Sequence, residues 1–227
     1  MAKYLGRRIP KDFDHVTKYP LMAARVAPPP VPVTVGVNWY ANFDNPIKDK
    51  DGRYWVGRGN LGPIRGGHCV VMPHRAVDLA SWYLYYNQGR EGACVGFGAS
   101  RMMSLLNRKR YDARWLWNEA KKIDEWADTN PGDDNGPSVR AAMDVLRTLG
   151  HTYKGVCDTS HGICANRWAT SIEDLFSVLQ NPLYERLGAI PFHNSWGKDY
   201  PRTVWVPAET WARLMGEQGE FTMITDK

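Results

Sequence analysis

The stretch Asn87-Gln88-Gly89-Arg90-Glu91-Gly92-Ala93-Cys94-Val95-Gly96-Phe97 decides how this chain is read, because it sets a cysteine where a glycine-rich turn becomes a helix. After Cys94 the apolar residues Val95, Phe97, Met102, Met103, Leu105 and Leu106 recur at roughly helical spacing, which predicts a buried helix with Cys94 in its first turn. Unpaired backbone N–H groups and the helix dipole favour an anion there, so the thiol is expected to ionise readily. Gln88, six residues earlier, supplies a side-chain amide suited to donate to a developing oxyanion. The competing reading is a small cysteine packed as a hydrophobe, the commoner fate of a single thiol.

A second informative stretch, Phe192-His193-Asn194-Ser195-Trp196-Gly197, lies about a hundred residues further on. Gln88, Gly92, Ala93 and Cys94, followed in order by Asn194-Ser195-Trp196-Gly197, resemble the papain-like cysteine peptidases. The chain departs from that pattern in having Glu91-Gly92 where a disulfide-forming cysteine is usual and Val95 where an aromatic follows the nucleophile. Neither change removes a chemical role. The resemblance implies an α+β, two-lobe fold, with a helical lobe holding the Cys94 helix and an antiparallel β-barrel-like lobe holding the histidine and asparagine. It also implies peptide-bond hydrolysis by a Cys-His-Asn triad. Cys94 would be the nucleophile, Asn194 the residue orienting the imidazole, Gln88 the oxyanion donor, and Trp196 the cover over the Asn–His bond.

The histidine stands out of order. In the family it follows the cysteine on a strand, whereas the matching segment here, Gly66-Gly67-His68-Cys69-Val70-Val71-Met72, precedes Cys94. Upstream, Pro32-Val33-Thr34-Val35-Gly36-Val37-Asn38-Trp39-Tyr40 resembles the strand before the histidine strand, so a strand pair is displaced as in a circular permutation. A triad is defined by geometry and tolerates such rearrangement. His68 is therefore the expected base, with His193 the main alternative. Adjacent strand residues face opposite ways, so His193 should turn from the cleft if Asn194 faces it. His151 and His161 lie in a stretch with no apolar strand to fix a ring, and His15 and His74 sit by polar or proline-marked turns.

Composition fits one compact unit. A chain of 227 residues makes one large domain or two small lobes, and its ten tryptophans and eleven tyrosines supply packing volume, some of it for a groove. The net charge of +5 is mild and scattered, and runs such as Arg108-Lys109-Arg110 read as solvated helix ends, so no nucleic-acid partner is expected. Residues 1–20 lack the apolar core of a secretory signal, and no stretch approaches the ~20 apolar residues of a membrane span. The expectation is a soluble protein, cytoplasmic or virion-associated, with no membrane partner. Four cysteines do not make a disulfide framework at this length. Cys69 should pack inward, and Cys157 and Cys164 with His151 and His161 do not match a zinc spacing, so the two cysteines read as an ordinary loop pair or a disulfide, and no metal and no cofactor is expected.

Residues 1–30 read as an arm ending in Pro28-Pro29-Pro30, a stiff segment suited to an assembly partner. Residues 31–227 form the domain: 31–76 and 166–227 supply the β-lobe, and 77–165 the helical lobe. Asp51-Gly52 marks a hairpin tip. Gly57-Arg58-Gly59-Asn60-Leu61-Gly62 fits a dinucleotide fingerprint, but no helix follows; Asp49-Lys50-Asp51-Gly52 starts like a calcium loop but lacks its closing glutamate. Helices are expected over Asp112 to Trp126, with Trp115, Leu116, Ala120 and Ile123 on one face, and over Ser138 to Leu149. A loop spans Asn130 to Gly136, and Thr170 and Glu173 read as a capping box. Strands are expected at Ala189 to Asn194, Thr203 to Val206 and Phe221 to Thr225, with a helix at Ala208 to Met215.

The same groups admit an amidase or acyl-transfer enzyme acting on a non-protein or cell-wall amide in a bacterial or phage setting. They also admit a catalytically silent papain-like assembly module. For the peptidase, the partner is a peptide or protein substrate.

Overall fold

A computed structural model describes residues 29–74, 86–125 and 136–226. Nearly all of the N-terminal arm and the loop at 130–136 lie outside these residues.

Alternating valines make β1 (Val33–Tyr40) a strand that buries both faces. Val33, Val35 and Val37 enter one core, while the Thr34 hydroxyl on the other face meets the Met102 sulfur at 3.1 Å. Strand β4 (Ile64–Met72) runs antiparallel to it, with Val37 opposite His68 and Val33 opposite Met72. The sheet continues through β10 (Glu220–Asp226) and β7 (Ala165–Trp168), giving the order β4-β1-β10-β7. A second sheet, ordered β2-β3-β9-β8, holds β2 (Ile47–Lys48), β3 (Tyr54–Trp55), β9 (Val204–Pro207) and β8 (Ala189–Phe192). Its β3–β9 pair is parallel.

The two sheets join where Val71 and His193 exchange backbone hydrogen bonds of 3.2 and 2.8 Å. They do not close. The outer edges are β7, four residues long, and β2, two residues long, and neither has a further strand partner among the described residues. The expected barrel-like lobe is an open, joined pair of sheets.

β4 serves two cores. Val70 and Met72 turn toward the aromatic-rich core under the second sheet, while Cys69 and Val71 turn toward α1 (Cys94–Asn107), α2 (Ala113–Ile123) and α3 (Val139–Thr148). The first core is completed by α4 (Ile172–Leu179), α5 (Pro182–Leu187) and α6 (Ala208–Gly216). Six α-helices are thus present among the described residues, and the class is α+β.

Local chemistry explains most boundaries. Asp112 caps α2 by accepting from the N–H groups of Arg114 and Trp115, and Ser138 caps α3 by accepting from Ala141. Gly150, at φ +80°, ends the turn after α3 where a Cβ would lie 2.1 Å from the Asp158 carbonyl oxygen. Three expectations are corrected. Ile123 is 53 % exposed and leaves the apolar face of α2 to Ala113, Leu116 and Ala120. Helix α4 is capped by Ser171, not Thr170, because Ser171 is the residue adjoining the first helical turn and its hydroxyl accepts from Asp174. A hairpin of β5 (His151–Tyr153) and β6 (Val156–Asp158) gives His151 the strand it was not expected to have.

Candidate active site

Position 68 falls on β4 where its side chain enters the aromatic core. The imidazole lies 4.5 Å from the Trp39 ring and 4.9 Å from the Trp196 ring, centroid to centroid. His68 Nε2 is 2.8 Å from Asn194 Oδ1, the same oxygen that accepts the Ser195 backbone N–H at 2.7 Å. A backbone N–H can only donate, so the atom facing the ring is the amide oxygen, and Nε2 carries the hydrogen. The lone pair of the neutral ring is then on Nδ1. Burial holds the His68 pKa down at about 4, against a smaller upward pull from the Asn194 bond and the Asp44 charge.

Cys94 is the first residue of α1, and Ala93 before it offers no capping side chain, so the first-turn N–H groups are not consumed by a cap. The N–H groups of Cys69, Val95 and Cys94 itself favour the thiolate, but burial outweighs them and pushes the thiol up. The readily ionised thiol expected from the helix start is therefore corrected: at 8 % exposure, desolvation exceeds the help from the N–H groups.

Backbone pairing brings the two distant motifs side by side. Gln88 N–H donates to the Ser195 carbonyl at 2.9 Å, Gly197 N–H donates to Tyr86 at 3.1 Å, and Asn87 bridges Trp196. Gly197 is required at φ +70°, with Asn87 Nδ2 only 3.1 Å from where its Cβ would be. The Gln88 side chain is buried. Its Nε2 donates to the Glu91 carbonyl at 3.0 Å, and its Oε1 has no partner. One amide N–H is left over.

His68, Cys69 and Cys94 line one cleft of about 620 Å³, walled by Val37 and Asn38 of β1, the N-terminus of α3 at Val139, and Glu220. Gln88 is not part of that lining. Glu220 accepts the Val139 N–H at 3.0 Å, which fixes the α3 end of the cleft.

His193 points elsewhere: its Nδ1 is buried without a partner, Nε2 is 3.4 Å from the Thr203 hydroxyl, and burial with the nearby Arg101 and Arg202 charges holds its pKa at about 3. His151 is fully buried and stacks on Tyr111 at 4.5 Å. Its Nδ1 accepts the Thr152 N–H, so Nε2 donates to Ser100 Oγ at 2.8 Å, and burial holds it at about 3. His161 sits against Tyr111 and Tyr153, and neither it nor His74 lines the cleft; His15 lies outside the described residues. Cys157 and Cys164 are exposed and unlinked. Among the described residues, no three His, Cys, Asp or Glu side chains converge on a metal position. No described helix is long and apolar enough to cross a membrane.

Trp39 is the site residue that sequence reasoning missed. It packs on both His68 and Trp196, and its indole N–H donates to Asp44 at 2.8 Å. The available signal was its place in the strand before the histidine strand, where its backbone lies opposite side-chain-free Gly66. Compared with protein-family models, curated protein sequences and solved structures, the chain matches none.

Proposed function

We propose that the chain is a papain-like cysteine peptidase of rearranged order, its histidine strand preceding its cysteine helix. The observation that carries this reading is the His68 Nε2–Asn194 Oδ1 bond of 2.8 Å, made by a histidine that lines the same cleft as Cys94. Asn194 fixes the tautomer, which leaves Nδ1 to take a proton. Because burial favours a neutral thiol and a neutral ring, proton transfer from Cys94 to His68 accompanies attack on the substrate carbonyl. The oxyanion is received by the Cys94 N–H and the remaining N–H of Gln88. His68 then protonates the leaving amine, and a water deprotonated by His68 hydrolyses the thioester. Trp39 and Trp196 keep water from the His68–Asn194 bond.

A vinyl-sulfone or epoxide probe tests this on the full chain. Labelling is expected in the parent and in Cys69→Ala but not in Cys94→Ala, and digestion of a peptide library should yield cleaved products. The second reading is the silent assembly module, in which the buried Cys94 thiol stays protonated. An unlabelled Cys94 would decide for that module, and labelling without peptide cleavage would favour an amidase.

A further inference from the structure

Cys69 directly follows His68, and the alternation of β4 turns it the other way, toward α1. Gly98 lies one turn after Cys94 on the same helix face. A Cβ on Gly98 would stand 2.7 Å from Cys69 Sγ and 3.7 Å from Cys69 Cβ. Positions four apart on a helix have Cβ atoms about 5–6 Å from each other. The Cys69 sulfur therefore packs against α1 one helical turn beyond Cys94. Both thiols are free and border the same cleft, Cys69 fully buried and Cys94 slightly open. An oxidant entering the cleft meets Cys94 first.

We propose that Cys69 is the resolving partner of Cys94, capturing it after oxidation by a peroxide as a disulfide that reversibly closes the site. The Cys94 sulfur attacks one peroxide oxygen, the O–O bond breaks, and Cys94 becomes a sulfenic acid with release of water. The Cys69 sulfur then attacks the Cys94 sulfur, the S–O bond breaks, and the hydroxide leaves as water with the Cys69 proton. Two thiols and one hydrogen peroxide give one disulfide and two waters. A dithiol restores both thiols by two-electron reduction. Burial keeps Cys69 protonated until that moment. The bond forms at a first helical turn with no side-chain cap, where a small shift disturbs few hydrogen bonds. Without Cys69, the sulfenic acid proceeds to sulfinic acid, which a dithiol does not reverse.

This inference rests on Cys94 being the reactive sulfur of the proposed peptidase, but its readout needs no hydrolysis. The full chain is treated with hydrogen peroxide, alkylated in denaturant, and mapped by mass spectrometry without reduction. A peptide pair joined through Cys69 and Cys94, lost on dithiothreitol treatment, is expected. In Cys69→Ser, checked for folding by circular dichroism, Cys94 sulfinic acid that persists after dithiothreitol is expected. A link from Cys94 to Cys157 or Cys164, sulfinic acid at Cys94 in the parent with Cys69 still alkylatable, or an unoxidised Cys94 would each overturn the proposal. The peptidase reading fails separately, on probe labelling and peptide cleavage in the reduced protein.

Discussion

One amide oxygen fixes which nitrogen of His68 holds the proton, and the backbone N–H of Ser195 fixes that oxygen. Replacing Asn194 with alanine leaves Nε2 buried among Trp39 and Trp196 with no acceptor. A buried donor so stranded costs about 1–3 kcal/mol. In the proposed enzyme the loss falls on the oriented base, so Asn194→Ala should slow probe labelling of Cys94 by about 10–100-fold while the thiol itself remains. Unchanged labelling kinetics would detach Asn194 from the chemistry. The pH profile should shift too. Since burial raises the Cys94 thiol, alkylation in His68→Ala should climb only above the ordinary thiol range, whereas the parent reacts at lower pH with His68 to take the proton. Coincident profiles for the two proteins would remove His68 as the base. At this scale Cys94, Gln88 and Asn194 were readable because each sits in a short motif. The raised thiol was not, because desolvation depends on which residues from other elements pack over the helix start.

Helix α1 meets α2 backbone to backbone at Gly96. A Cβ there would lie 2.6 Å from the Ala113 carbonyl oxygen and 2.6 Å from Trp117 Cβ. Helix propensity alone favours alanine over glycine by about 1 kcal/mol. The contact must overcome that gain, since a backbone carbonyl cannot swing aside as a side chain can. Gly96→Ala is therefore expected to destabilise the fold by about 1–3 kcal/mol, seen as a lower urea midpoint at unchanged slope. A raised midpoint would show that propensity wins and the helices have room. Elements with strong periodicity or a cap were legible: β1, β4, α3 and α6 lie within a residue or two of their expected bounds, and α1 has Cys94 in its first turn as expected. The β5–β6 hairpin was not, because its strands are three residues each and its pairing satisfies backbone groups without an apolar alternation. Helix α5 was also missed, though Asn181 caps it, Pro182 opens it and Gly188 ends it in the left-handed region.

Among the described residues, three imidazoles are buried with pKa values held down by burial: His68 at about 4, His151 at about 3 and His193 at about 3. In the unfolded chain each returns to about 6.5. Between these values the unfolded state binds protons that the folded state refuses, so stability is complete above about pH 6.5 and falls as the pH drops toward 3. The loss is about 2 kcal/mol per ring by pH 5. A steep decline in the urea midpoint between pH 7 and pH 5, flattened by His151→Phe, is expected; a flat parent profile would contradict neutral burial of the rings. The α+β class, the helix that begins at Cys94, the strands of β1 and β4, and the order of the two motifs are written in the chain, since these follow from short-range periodicity, caps and residue chemistry. The fold alone leaves the joined sheets open, sets Trp39 over His68, commits one Gln88 N–H to Glu91, and packs Cys69 against the helix that Cys94 begins. Each of those depends on contacts between residues far apart in the chain, and no local pattern encodes a distance across a cleft.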